Sequence, residues 1–234
     1  MANLFRRVRR FDDGRLSRCR LLGNETSFRL LFWFVNGKRL NLDFPETFNE
    51  KPQWLKLHDG NQLYQVMVYK LIAKEWATNR IGNRYIISTL AIWDNVDGID
   101  LNDLPEQFVL KTNHGSGTAF ACKDRVDFDF DKAKIYSAKK LTEQFFYQLR
   151  EWPHKGIVPQ VFAESFIGDV GEESFPNDVK NSSGLTDYKL LCYDGVCGHL
   201  FTRAGRESGD PRVDFFDCEW VHLPFRRHYP NANP

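Results

Sequence analysis

A ten-residue stretch, 108–117, constrains the fold more than any other part of the chain, because an apolar segment passes through one lysine into a glycine-containing loop. We predict a strand over 108–112, with Lys111 near its end and Gly115-Ser116-Gly117 in the loop that follows. Glycine lacks a Cβ atom, so such a loop can bring backbone N–H groups against phosphate oxygens, and the lysine adds a compact positive charge. The loop is not a Walker A motif, because G-x-x-x-x-G-K-[ST] is absent. The stretch predicts nucleotide binding, although Gly-Ser-Gly by itself is also typical of an ordinary turn.

Two charged residues in apolar surroundings are further candidates for a binding site. Lys70 lies within a predicted helix over 61–80, where it either contacts a ligand or extends to solvent along its aliphatic stem. Glu164 lies in an apolar segment that predicts a strand over 160–167. A carboxylate there needs a partner such as an exocyclic amine or a buried Lys or Arg, unless the strand is at an edge and the carboxylate faces water. We expect Glu164 to face a cleft between two lobes, within one nucleotide's length of Lys111.

The composition narrows the class of protein. The chain has 234 residues, of which 42% are hydrophobic and 27% charged, so it predicts a globular fold of one domain or two joined lobes. Lys plus Arg is 32 and Asp plus Glu is 31, and this balance argues against a dedicated nucleic-acid-binding protein. The longest apolar run, 30–35, is too short to cross a bilayer. Five cysteines, an odd number, favour free thiols in a reducing cytoplasm.

Hydrophobic periodicity and breaker residues predict the remaining elements. Segment 28–35 is compatible with a strand or a short helix, and periodicity does not separate the two. A hairpin is predicted around the dipeptide Asp194-Gly195, which tolerates the positive φ of a tight turn. The other predicted elements are a helix over 61–80 that ends at Gly82, a strand over 86–93, a helix over 131–152 that ends at Pro153, and a loop over 168–184.

Weaker patterns suggest other chemistry. Cys192 and Cys197 with His199 have some features of a metal site, but one hairpin would hold both thiols without a second ligand pair. His114 beside the glycine loop is either catalytic or an ordinary exposed loop histidine. Two acidic groups, at 127–131 and 214–219, match no EF-hand loop and are more typical of surface turns.

Lys70, Lys111 with its glycine loop, and Glu164 occur in an order that resembles the nucleotide site of the ATP-grasp superfamily. More closely, the chain looks like the TupA-like ATP-grasp proteins, which are named for teichuronopeptide biosynthesis. The likeness covers roughly residues 28–225, and its most specific part is Lys111-Thr112-Asn113-His114-Gly115-Ser116-Gly117. Other matching stretches are Leu40-Asn41-Leu42, Gln53-Trp54-Leu55-Lys56-Leu57, Cys122-Lys123-Asp124, Arg150-Glu151-Trp152-Pro153, Asp187-Tyr188-Lys189 and Asp214-Phe215-Phe216-Asp217.

The resemblance implies a role for each matching residue. Lys70 and Lys111 would contact the phosphates, and a flexible flap over the phosphates would be formed by Gly115, Ser116 and Gly117, with His114 beside them. Glu164 would accept the adenine amine, and the adenine hinge would be the backbone of Ser165, Phe166 and Ile167. Asp187 and Lys189 would line the site from the following strand.

Two departures from the family pattern affect the expected activity. Tyr69 stands where the family usually has Asp before the first lysine. The family's acidic Mg²⁺ ligands fall in a C-terminal region that has no counterpart before Pro234. We therefore expect a C-terminally truncated or degenerate relative that binds ATP weakly and does not turn it over, because phosphoryl transfer needs the metal.

The resulting fold class is α+β, an ATP-grasp-like arrangement of two α+β lobes with a nucleotide cleft between them. The predicted parts are a basic N-terminal arm (1–27), an N-terminal lobe (28–107), a small lid lobe (108–160), a hinge with an incomplete C-terminal lobe (161–225), and a tail (226–234). The resemblance implies ATP as cofactor, with Mg²⁺ in full-length relatives, and a glycan or amino-acid carboxylate as substrate.

Three functions follow as alternatives. The first is that of a protein related to the ATP-dependent carboxylate–amine ligases of bacterial cell-envelope polysaccharide biosynthesis. The second is a glycosyltransferase, for which Asp127-Phe128-Asp129 is a weak signal. The third is a non-catalytic interaction module that uses the basic arm or an uncovered C-terminal face.

Overall fold

The computed structural model describes residues 22–167, 185–205, 209–226 and 228–232. These residues fall into two compact units, and the division lies between Phe166 and Ile167. Most of the basic arm and the whole predicted loop over 168–184 lie outside the described residues. The boundaries predicted for the lobes stay predictions.

Four helices form the first part of the N-terminal unit: α1 (Asn24–Asn36), α2 (Glu50–His58), α3 (Leu63–Val68) and α4 (Lys70–Ile81). Segment 28–35, which the sequence left undecided, is helical. Its burial explains the choice, because Phe28 and Phe32 lie one helical turn apart and pack together with Leu40 and Leu42 in a small buried cluster.

The single helix predicted over 61–80 is wrong, because the chain leaves the helical conformation at Tyr69, where φ is −82° and ψ is 99°. α4 therefore begins at Lys70, and it ends as predicted before Gly82. The Lys70 backbone N–H donates to the carbonyl of Asn113 at 3.2 Å. This hydrogen bond to a residue far away in sequence replaces an intrahelical one. Hydrophobic periodicity does not detect such long-range contacts.

A four-stranded antiparallel sheet completes the N-terminal unit, with strands β1 (Thr89–Trp93), β2 (Phe108–Thr112), β3 (Ala119–Cys122) and β4 (Val161–Ser165) in the order β1-β4-β2-β3. β2 has the predicted bounds, whereas β1 and β4 are shorter than the predicted strands. β4 lies in the interior of the sheet, paired with β1 on one side and β2 on the other, so Glu164 is not on an edge strand.

The long helix predicted over 131–152 is also wrong. The chain forms α5 (Phe130–Leu141) and the one-turn α6 (Phe146–Leu149), and Pro153 lies in a 3-10 turn, Trp152–His154. Two further 3-10 turns are Asn83–Tyr85 and Leu101–Asp103. α5 packs against β2, where Ala133 joins Phe108 and Leu110 in the main apolar core.

The C-terminal unit is a second antiparallel sheet of strands β5 (Asp187–Tyr193), β6 (Val196–Ala204), β7 (Arg212–Asp217) and β8 (His222–Leu223), in sequence order. The predicted hairpin is confirmed: β5 and β6 are joined by Asp194 and Gly195, whose φ values of 49° and 80° are those of a tight two-residue turn. Helices together with two antiparallel sheets confirm the α+β class. Among the described residues, no helix has the length and apolar character needed to span a membrane.

Candidate functional site

The sheet of the N-terminal unit has two chemically different faces. Phe108 and Leu110 of β2 lie on the apolar face that α5 covers. The opposite face carries Lys111 from β2 and Glu164 from β4, because side chains alternate along a strand. In the register of the two strands, Val109 is opposite Glu164 and Lys111 is opposite Phe162. Lys111 and Glu164 are therefore diagonal neighbours on one face, which brings together the two residues that the sequence placed close to each other.

Glu164 is buried and forms ion pairs on both sides of its carboxylate. Its Oε1 atom accepts a hydrogen bond from Lys111 Nζ, and its Oε2 atom accepts one from Lys74 Nζ at 2.9 Å. A carboxylate removed from water needs such partners, because an unpaired buried charge is strongly destabilising. The sequence allowed an exocyclic amine, a buried Lys or Arg, or water as the partner of Glu164. Its described contacts are with lysines. The contact with an adenine amine stays a prediction.

Lys70 joins the group from the first residue of α4. Its Nζ atom donates to the backbone carbonyl of Thr112 at 2.7 Å, at the point where β2 passes into the glycine loop. The pKa of Lys70 is lowered to about 8: burial is the main cause, the positive charge of Lys111 adds to it, and Glu164 acts in the opposite direction. We call Lys70, Lys74, Lys111 and Glu164 the lysine cluster. It contains three ammonium groups and one carboxylate.

The glycine loop is held at its base and exposed at its tip. Thr112 and Thr118 share a hydrogen bond of 2.6 Å between their Oγ1 atoms and close the base of the loop, while Ser116 and Gly117 are exposed. Gly115 has a φ of 72°, and a Cβ atom there would lie 2.8 Å from the Phe145 ring. Glycine at 115 is therefore required both by backbone conformation and by close packing.

His114 is buried, so the prediction of an exposed loop histidine is wrong. Its Nδ1 atom lies 3.1 Å from Asn113 Oδ1, and its Nε2 atom lies 3.0 Å from the carbonyl oxygen of Lys140 in α5. Burial lowers the pKa of His114, which favours the neutral ring. A neutral ring has a single N–H, and with the proton on Nε2 it donates to the Lys140 carbonyl and fastens the glycine loop to α5.

A cleft lies at the other end of β2 and β4. Its volume is about 610 Å³, and its lining includes Gln107, Lys123, Ser165 and Phe166. Phe108 is opposite Ser165 in the strand register, so the cleft and the glycine loop are separated by the length of β2. A strand of five residues spans about 13 Å between its first and last Cα atoms. The spacing suits a ligand with one end in the cleft and an anionic end at the lysine cluster.

The predicted site residues thus have different positions. Lys111 and Glu164 are in contact, and Lys70 bonds to the carbonyl of Thr112, the residue after Lys111. The predicted loop residues His114, Gly115, Ser116 and Gly117 follow directly, and Ser165 and Phe166 lie at the cleft. Ile167 is the first residue of the C-terminal unit. Asp187 and Lys189 lie on β5 of that unit, where they pair with Arg203 and Phe201. Their contribution to the site stays a prediction.

Lys74 was missed by the sequence reasoning, although a signal for it exists. It lies four residues after Lys70, a spacing that places two side chains on the same side of a helix. Tyr69 was noted only as a departure from the family pattern, yet its hydroxyl donates to Gln160 Oε1 at 3.0 Å. Gln160 also bonds to Asn113 through its backbone N–H, at 2.9 Å. These bonds connect the start of α4 to the residues that flank the site.

Two carboxylates of the C-terminal unit, Asp214 and Asp217, are committed to partners within that unit. Asp214 is buried, accepts a hydrogen bond from the backbone N–H of Ala232, and lies 3.1 Å from His222 Nε2. Asp217 accepts hydrogen bonds from the backbone N–H groups of Glu219 and Val221. Within the described ranges, no group of three or more His, Cys, Asp or Glu side chains is arranged to hold a metal ion. The lysine cluster does not fit Mg²⁺ either, because both oxygens of its carboxylate accept ammonium groups.

The N-terminal unit thus carries a strand lysine, two helix lysines and a buried glutamate beside a glycine loop, and positive charge is in excess there. The family model of the TupA-like ATPgrasp proteins matches residues 50–233, a range that contains all of these features. The chain belongs to the TupA-like ATP-grasp family, which confirms the resemblance seen in the sequence. No curated protein and no solved structure matches the chain.

Proposed function

We propose that this protein binds ATP along the charged face of β2 and β4. The triphosphate lies at Lys70, Lys111 and the glycine loop, and the adenine lies toward the cleft at Ser165 and Phe166. One observation carries the proposal: two ammonium groups pair with a single carboxylate, and a third ammonium group lies at Thr112, where the exposed glycine loop begins. The cluster is positively charged when the lysines are protonated, so it attracts a polyanion.

The electrostatics of Lys70 support a phosphate at this position. A lysine whose pKa is lowered by burial and by a neighbouring ammonium group gains stabilisation when an anion arrives. Each charge-assisted hydrogen bond to a phosphate oxygen contributes about 1.5–3 kcal/mol. Gly117 is exposed, and nothing lies within 4 Å of the place where a Cβ atom would be, so a ligand can approach the loop backbone there.

Glu164 is proposed as a positioning residue for two of the lysines. Its two oxygens hold Lys74 and Lys111 from opposite sides, and the Lys74 ammonium also lies 5.6 Å from the centroid of the Phe162 ring. The carboxylate thereby restricts two flexible side chains that would otherwise lose conformational freedom when phosphate binds. This role does not exclude the adenine contact that the family resemblance implies, and the two roles are separable by experiment.

The broader role that family membership supports is that of a protein related to enzymes that use ATP to ligate a carboxylate to an amine in bacterial surface-polysaccharide biosynthesis. This chain keeps the ATP site without turnover, because its lysine cluster does not fit Mg²⁺. In such a reaction the carboxylate oxygen attacks the γ-phosphorus, ADP leaves, and an amine then displaces phosphate from the acyl phosphate. Lys70 and Lys111 would neutralise charge on the phosphoryl oxygens, which is the main contribution of a protein to phosphoryl transfer. The acceptor carboxylate is proposed to be that of a glycan or an amino acid.

The experiment that tests the proposal measures ATP binding by titration calorimetry for the wild-type chain, for Lys111→Ala and for Lys132→Ala. Lys132 is an exposed lysine on α5, the helix that covers the apolar face of the sheet, so its substitution removes the same charge away from the cluster. Lys111→Ala should weaken ATP binding by about 10-fold to 150-fold, equivalent to about 1.5–3 kcal/mol. Lys132→Ala should bind ATP as the wild type does.

Circular dichroism establishes that both variants are folded, and a parallel titration with a UDP-sugar tests the glycosyltransferase alternative. Equal ATP affinity in the wild type and Lys111→Ala would overturn the assignment of the phosphate site. Binding of the UDP-sugar in preference to ATP would overturn the choice of nucleotide.

A further inference from the structure

Three of the four described cysteines lie close together in the C-terminal unit, away from the residues of the lysine cluster in the sequence. Cys192 is on β5, Cys197 is on β6, and Cys218 directly follows β7. All three are free thiols, and the fourth, Cys122, is buried in the core of the N-terminal unit. We call Cys192, Cys197 and Cys218 the thiol cluster.

Cys197 is the member that contacts both others. In the register of the hairpin, Cys192 and Cys197 are opposite each other, one pair away from the Asp194-Gly195 turn. Directly opposed residues of an antiparallel pair have Cα atoms about 4.5–5.5 Å apart, within the range of about 4.4–6.8 Å that a disulfide requires. The Cys218 thiol donates to the carbonyl of Cys197 at 2.9 Å, and the side chains of Cys192 and Cys218 both lie near enough to the Cys197 thiol to influence its pKa.

The three thiols differ in exposure. Cys192 and Cys218 are exposed, while Cys197 is half-buried. Desolvation raises the pKa of the Cys197 thiol, and its hydrogen bond with Cys218 raises it further. An oxidant from solution therefore meets Cys192 or Cys218 first, and Cys197 is placed to react second, within reach of either.

We propose that the thiol cluster is an oxidative modification site, at which hydrogen peroxide converts Cys197 and one of its exposed neighbours into an intramolecular disulfide. The thiolate of Cys192 or Cys218 attacks a peroxide oxygen, the O–O bond breaks, and hydroxide takes up a proton and leaves as water. The sulfur is oxidised to a sulfenic acid and the peroxide is reduced. Cys197 then attacks the sulfenic sulfur, the S–S bond forms, the S–O bond breaks, and a second water leaves with the remaining proton.

The test treats the purified full-length chain with hydrogen peroxide, blocks the remaining thiols by alkylation, and maps disulfides by mass spectrometry of unreduced peptides. The expected product is an intramolecular disulfide that contains Cys197, joined to Cys192 or Cys218, and that a thiol reductant reverses. Cys122 should remain a thiol, because its side chain is inaccessible in the apolar core.

Substitutions identify the resolving thiol. Cys197→Ser should form no disulfide within the cluster, and its exposed cysteines should accumulate higher oxidation states instead. Cys192→Ser should still form the Cys197–Cys218 disulfide. Cys19→Ser is the matched control, since it removes a thiol that is not one of the three, and it should behave as the wild type. A disulfide between Cys192 and Cys218, disulfides between chains only, or oxidation of Cys122 as fast as the cluster would overturn the proposal.

Discussion

Lys111 on β2 forms an ion pair with Glu164 on β4 across a diagonal of the sheet, two residues along from Val109, the direct partner of Glu164. Because the same carboxylate also binds Lys74 from α4, one buried acid connects two neighbouring elements of the N-terminal unit. The arrangement leaves more ammonium groups than carboxylates beside the glycine loop. This local excess of positive charge is the basis of the proposed nucleotide site.

Glu164→Gln should destabilise the fold and change ATP and ITP binding by the same factor. The substitution leaves two ammonium groups without their anion. Removal of one partner of a fully buried ion pair costs about 3–5 kcal/mol. The two lysines are partly exposed, so we expect a smaller loss of about 1–3 kcal/mol. Urea unfolding gives the change in stability, and calorimetry gives the two affinities.

The comparison with ITP separates the two roles of Glu164, because inosine lacks the exocyclic amine of adenine. If Glu164→Gln lowers ATP affinity and leaves ITP affinity unchanged, Glu164 contacts the adenine amine, and its role as a positioning residue for the lysines is wrong. Glu25→Gln is a suitable control, since that glutamate pairs with Arg29 on α1, away from the lysine cluster and the glycine loop.

ATP affinity should fall as the pH rises from about 7 to about 9, on either side of the Lys70 pKa of about 8. A protonated Lys70 attracts phosphate and a neutral one does not, so the loss should approach the 10-fold expected for one charge-assisted contact. Lys70→Arg should remove this pH dependence, because arginine stays charged throughout the range. An affinity that is constant over this range in the wild type, or a decrease that persists in Lys70→Arg, would contradict the assignment.

Without nucleotide, the contribution of Lys70 to the free energy of unfolding should rise with pH between about 8 and 10.5, whereas ATP affinity falls as Lys70 loses its proton. The pKa of Lys70 is about 8 in the folded chain, and its ordinary value is 10.5, so between these values the unfolded chain binds more protons. The contribution of Lys70 to the free energy of unfolding therefore rises with pH in this window. Urea titrations of the wild type and Lys70→Arg at both ends of the window measure it, and the two proteins should differ in slope.

Gly115→Ala should be more damaging than Gly117→Ala, although both residues have positive φ. Both substitutions incur backbone strain of about 1–2 kcal/mol. At position 115 the added Cβ would also lie 2.8 Å from the Phe145 ring, whereas nothing lies within 4 Å at position 117. Overpacking should add about 1–3 kcal/mol for Gly115→Ala alone. Thermal unfolding of both variants checks the order, and equal stabilities would show that Phe145 moves aside freely.

Magnesium should not increase the affinity of the chain for ATP. The lysine cluster offers three ammonium groups and no open carboxylate, so a nucleotide that has lost negative charge to Mg²⁺ is attracted less. Calorimetry with MgCl₂ or with EDTA measures the effect, and an ADP-release assay with a panel of carboxylates and amines should show no turnover. Strong Mg²⁺-dependent binding, together with substrate-stimulated ADP release that Lys111→Ala abolishes, would contradict both expectations.

Local patterns in the sequence were sufficient for elements whose formation depends on neighbours along the chain. The strand Phe108–Thr112 and the Asp194-Gly195 hairpin follow from an apolar run and from a dipeptide that accepts positive φ. The chain also presented Lys70, Lys111 and Glu164 as charges in apolar segments, and a buried charge requires a partner wherever it occurs. The family resemblance then placed these residues in one site.

Only the tertiary structure decided which partner each charge has and where the helices end. The break at Tyr69 is stabilised by a hydrogen bond from Lys70 to Asn113, and Lys74 becomes part of the site because it meets Glu164, 90 residues further along. The burial of His114 likewise depends on the carbonyl of Lys140. Periodicity reports on neighbours within a few turns of chain, whereas these contacts join segments that approach each other only when the sheet and α4 pack together.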